Sequence, residues 1–158
     1  MWELVMKYSL LIILLLLTST AQGSYCSGKN WQDAYQFYTH NIDLLNGHID
    51  RYNVLLNKMN SSAVNEGEQQ LLAAKLAIEE LDQLNVDVEK LDAKFDNTQQ
   101  LWQLISEHCF DDDELDYNNK AIENARGADI GRREVNDLLS RIESIRVIFL
   151  QVVENKSN

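Results

Sequence analysis

Residues 31–59 read WQDAYQFYTHNIDLLNGHIDRYNVLLNKM. Within them Trp31, Tyr35, Tyr38, Ile42, Leu45, Ile49, Tyr52, Leu56 and Met59 recur in steps of four and three, without a miss. That spacing lays one apolar stripe along a helix, because 3.6 residues make a turn. Between the stripe positions lie Asn41, Asp43, Asn46, Asp50, Arg51 and Asn53, as a solvated face requires. Asn30, followed three positions later by Asp33, supplies a cap and an acidic first turn. A first helix is predicted over 31–60.

The pattern resumes beyond a turn-like stretch at 60–64. Asn65 with Glu68 has the form of a capping box. From Ala77, the residues Leu81, Leu84, Val88, Leu91, Phe95, Thr98, Trp102, Ile105 and Cys109 again step by four and three. Leu71, Leu72, Ile78, Leu101 and Leu104 widen this stripe, so the second helix is expected to touch two neighbours. A third stripe starts at Leu115, Ile122 and Ala125 and continues through Val135, Leu138, Ile142, Ile145, Phe149 and Val152. Gly127 and Gly131 interrupt it, each costing up to about 1 kcal/mol relative to Ala inside a helix. A kink or break is expected there, and fraying after Glu154.

The absence of proline and the presence of only six glycines also favour helices over the turn-rich β folds. The predicted fold is all-α: three long antiparallel helices in an up-down-up bundle, with coiled-coil-like packing. The heptads would equally suit a seam between two chains, were it not for what flanks them. Beside the first stripe sit Gln32, Ala34, Thr39, Asn41, Asn46, His48, Asn53 and Leu55, with none of the charged pairs that specify a parallel dimer. A monomer is therefore expected.

Towards the N-terminus, a short segment ending at Lys7 leads into the apolar run Leu10–Leu17. Ala21-Gln22-Gly23 then places small residues before Ser24. These are the regions of a signal peptide at 1–23, and the apolar run falls short of the ~20 residues that span a bilayer. The expected product is one secreted, extracellular domain over 24–158 that does not insert stably into membranes. Its net charge of −11 disfavours nucleic acid and anionic lipid surfaces. The charge is unevenly placed: residues 24–116 carry −12 and residues 117–158 carry +1, with five of the six arginines in the third helix.

Two cysteines in a secreted chain read as a disulfide. Helix 31–60 rises about 44 Å, and the extended segment from Cys26 adds about 13 Å. An antiparallel second helix rises about 65 Å from Glu66 to Cys109. The lengths are close enough for Cys26 and Cys109 to meet. Sequons at Asn60-Ser61-Ser62 and Asn155-Lys156-Ser157 are candidate glycosylation sites, in an expected turn and an expected tail.

Catalytic patterns are missing. His40, His48 and His108 are preceded at three positions by Phe37, Leu45 and Ile105, so no Glu-x-x-His di-iron motif exists. No H-E-x-x-H occurs either. An EF-hand starting at Asp111 would need Gly and Glu where Asp116 and Ile122 stand. The acids of 111–116 instead suit a helix N-terminus. No catalytic residue, metal or cofactor is assigned. The expected function is non-enzymatic binding of an extracellular protein or receptor through a helix face, with carriage of a lipid or small hydrophobe as the alternative.

Overall fold

The computed structural model describes residues 25–62, 68–111 and 114–157, with side chains except at 59–62, 111 and 156–157. The expected leader at 1–23, its cut before Ser24 and the capping residue Asn65 lie outside the described residues. Three helices follow one another: α1 (Lys29–Ser62), α2 (Glu68–Asp111) and α3 (Leu115–Ser157). Each packs against the other two, giving the all-α three-helix bundle that the periodicity predicts. No described helix is long and apolar enough to cross a membrane.

Ion pairs between helices set direction and register. Arg51 and Lys58 of α1 meet Asp87 and Glu80 of α2, at 3.0 and 3.4 Å. Arg132 of α3 reaches Asp96 at 2.8 Å and Asp92 at 3.2 Å, and Arg146 reaches Asp82 at 2.6 Å. As numbers rise along one helix they fall along its neighbour, so both hairpins are antiparallel. α1 and α3 then run parallel, with their C-terminal ends at one pole.

α1 begins at Lys29, earlier than its expected start, and Asn30 lies inside the helix rather than capping it. The first helical acceptor is the Gly28 carbonyl, bonded by the Gln32 amide at 3.1 Å. Gly28 has φ 78°, a left-handed conformation that glycine takes without a Cβ clash. That residue turns the chain from Cys26 into the helix.

The stripe of α2 is buried as read. Leu81, Leu84, Val88, Leu91, Phe95, Trp102, Ile105 and Cys109 are essentially inaccessible, and α2 is the central element. Leu72 and Leu104, expected to widen that stripe, are instead exposed. The buried face of α1 is turned from its predicted stripe. Ala34, Asn41 and Leu55 are buried, while Tyr35 is half exposed. Burial of Asn41 is accommodated by hydrogen bonds: its Nδ2 donates to Thr98 Oγ1 at 2.9 Å and to the Lys94 carbonyl at 3.3 Å. A buried amide without such partners would cost about 1–3 kcal/mol.

α3 departs furthest from expectation. It runs unbroken through Gly127 and Gly131 and on to Ser157, so neither the break nor the frayed tail after Glu154 is present. Leu115 and Ile122, read as the start of its stripe, are exposed. The buried positions there are Asn118, Ala121, Ala125, Ala128 and Gly131. The reason is interdigitation, since α2 presents Phe95 and Trp102 at this level and only small residues opposite leave room. A Cβ on Gly131 would collide with the Phe95 ring, lying 2.7 Å from Cζ and 2.9 Å from Cδ1. One on Gly127 would lie 2.5 Å from the Tyr38 hydroxyl oxygen. The glycines allow close helix approach, and packing outweighs their poor helix propensity.

Candidate interaction surface

The pole where α1 and α3 begin is built around a covalent bond. Cys26 and Cys109, 83 positions apart in sequence, form a disulfide with Cα atoms 5.2 Å apart. Both are fully buried with Ala34, Trp102, Ile105, Ala121 and Ala125. The bridge ties the segment before α1 to the last turn of α2, as the antiparallel geometry requires.

Aromatic rings surround the bridge. Tyr25 stacks on His108, with centroids 4.2 Å apart. Trp31 lies edge-on to Trp102 at 4.9 Å and to Tyr117 at 5.4 Å, geometries that suit the ring quadrupoles. Lys120 Nζ stands 5.7 Å from the Tyr117 ring centroid. Trp102 is fully buried, and its Nε1 has no hydrogen-bond acceptor among the described residues. Glu114 receives the Asn118 amide at 3.0 Å and so opens α3, with Asp116 in the first turn. Of the acidic run 111–116, residues 112 and 113 and the Asp111 side chain lie outside the described residues.

On the outside of this pole, α2 and α3 leave an open groove. Gln99, Gln103 and Glu107 line it from α2, and Ile122, Arg126 and Asp129 from α3. Phe110 and Asn118 continue it toward the connection. Phe110 is 62% exposed, Leu115 59% and Ile122 36%. Large apolar side chains therefore stand in solvent beside a charged guanidinium and amides able to donate and accept. Nearer the middle of the bundle, Arg132 bridges to Asp92 and Asp96.

The sequence-predicted residues are dispersed otherwise. His40 is exposed on α1, His48 is half-buried further along it, and His108 belongs to the aromatic pole. Among the described residues no three His, Cys, Asp or Glu side chains converge to hold a metal. Burial pushes the His48 imidazole below its ordinary 6.5, aided by the nearby Arg51 and Lys94 and opposed by Asp87. The Arg51 hydrogen bond holds Asp87 below the usual carboxylate range. Asn60 lies in the last turn of α1 rather than in a turn between helices, and Asn155 is exposed in the last turn of α3 rather than in a tail. The helices extend because nothing at 60–62 or 155–157 breaks them: proline and glycine are absent there.

Phe110 did not stand out in the sequence, Arg126 stood out there only as one of the five arginines of the third helix, and Ile122 reads there as core. The readable signal was the competing small stripe Ala121, Ala125 and Ala128, which turns Ile122 outward. Compared with known proteins, the chain matches no family model, no curated protein and no solved structure.

Proposed function

We propose that this is a secreted, non-enzymatic protein that binds an extracellular protein or receptor through the α2/α3 face of its stapled pole. The observation that carries the reading is the exposure of Phe110 and Ile122 at one groove on a rigid, disulfide-tied scaffold. Binding energy concentrates in aromatic and arginine anchors set in such depressions, and preorganisation lowers the ordering cost. Arg126 adds a charge that a partner carboxylate would meet. A disulfide persists in oxidising compartments, which accords with the leader-like segment at 1–23.

The test is capture from extracellular fluid by the processed protein, side by side with a Phe110→Ser, Ile122→Ser double variant. Wild type should retain a specific protein, and the variant should lose it while keeping its helicity and melting temperature. Equal capture by both would reject the α2/α3 face. Binding to liposomes with a change in helicity, in place of protein capture, would favour the lipid carrier.

A further inference from the structure

The two sequons are 95 positions apart in sequence, yet the topology brings them to one pole. Asn60 lies in the last turn of α1 and Asn155 in the last turn of α3, and these helices run parallel. Their relative register can be read from Tyr38 of α1, whose hydroxyl oxygen lies 2.5 Å from where a Cβ on Gly127 of α3 would stand. Three heptads beyond Tyr38 is position 59, and three heptads beyond Gly127 is Ile148. Asn60 therefore stands level with Ile148 across the α1/α3 flank. Asn155 follows Ile148 by a further heptad, on the same side of α3. Ile148 is 50% exposed and Asn155 is exposed, so this flank is open to solvent.

We propose that Asn60 and Asn155 are N-glycosylated and that their oligosaccharides share the α1/α3 flank of the pole where these two helices end, covering Ile148. The modification rests on the secretion reading above. Its donor is a lipid-diphosphate-linked oligosaccharide, delivered by the transferase of the secretory compartment. The asparagine side-chain nitrogen attacks the anomeric carbon, forming the C–N bond. The bond from that carbon to the diphosphate oxygen breaks, the diphosphate leaves with the electron pair, and the amide gives up one proton. Ser62 and Ser157 supply the hydroxyls that the acceptor motif requires. Both sugars then lie at the pole opposite the disulfide. That pole is shielded, and the stapled pole is left bare for a partner.

The experiment expresses the full chain in a secretory eukaryotic cell and weighs the product before and after peptide N-glycosidase. Two oligosaccharides should be lost, and Asn60→Gln and Asn155→Gln should each abolish one. Enzymatic removal should also raise binding of a hydrophobic dye, a gain that Ile148→Ser should cancel. A secreted, leader-free chain with both asparagines bare overturns the proposal while sparing the secretion reading. Sugar at one position only overturns the paired arrangement, and dye binding unmoved by deglycosylation overturns the shielding. An uncut chain kept in the cytosol overturns secretion and glycosylation together.

Discussion

Gly127 and Gly131 show how one residue type answers to two environments. Alanine at either gains up to about 1 kcal/mol of helix propensity. At Gly131 the added methyl meets Phe95, which is fully buried and has nowhere to move. Overpacking of that kind costs about 1–3 kcal/mol, so Gly131→Ala should destabilise the protein in urea titration. At Gly127 the obstacle is the free end of the half-buried Tyr38 ring, which can swing aside. Gly127→Ala should leave the urea midpoint unchanged or raise it slightly. A loss at Gly127 as large as at Gly131 would refute this account. His48 gives a second residue-level expectation. Its folded pKa lies below the unfolded 6.5, so the folded state favours the neutral ring. The associated stability is present above pH 6.5 and is lost as pH falls through the window just beneath it. Melting curves should show that decline, and His48→Gln should flatten it. Asp87, whose folded pKa is depressed, contributes stability above 3.8 that disappears only in stronger acid.

At the scale of elements, α2 was the most legible helix. Its buried residues are large and regularly spaced, and it is enclosed by two neighbours. α1 read well in extent and period but not in rotation, because the large aromatic surface of Tyr35 drew the stripe away from small Ala34. Neither residue says where the next helix lies. α3 misled because its buried first half is built of alanine and glycine, whose periodicity is nearly silent. The staple between α1 and α2 is testable on its own. By the loop-closure model, a bridge across 83 positions contributes about 4–5 kcal/mol. Replacing both Cys26 and Cys109 with serine should keep the circular-dichroism helicity and lower the melting temperature substantially. The first turns of α1 should then exchange amide hydrogens faster, since noncovalent packing such as the Tyr25–His108 and Trp31–Trp102 ring pairs would be left to hold them. An unchanged midpoint would mean that aromatic packing at this pole suffices without the bond.

For the molecule as a whole, charge asymmetry was visible in the sequence and is used within one chain. Arg132 and Arg146 dock on acids of α2, whereas Arg133 and Arg141 pair with Asp129 and Asp137 of α3 itself. These pairs are partly exposed and worth about 0–1 kcal/mol each, so stability rests on the core running from Leu45 to Ile142. Raising salt to molar concentration should therefore shift the melting temperature by only a few degrees. Large buried residues from all three helices also pack into one core within the chain. Light scattering on dilution should accordingly report a monomer. A dimer that survives dilution would show that a second seam exists.

The sequence alone determined the class of fold, the number and approximate limits of the helices, their antiparallel order and the cysteine pairing. All of these follow from local periodicity, from chain length and from the few ways three amphipathic helices can bury their stripes. Which face of α1 turns inward, why α3 carries small residues, and which apolar side chains stay in solvent were decided only by tertiary packing. Those choices depend on complementary volumes from different helices meeting at one level, as Phe95 meets Gly131. No window along a single helix contains both partners.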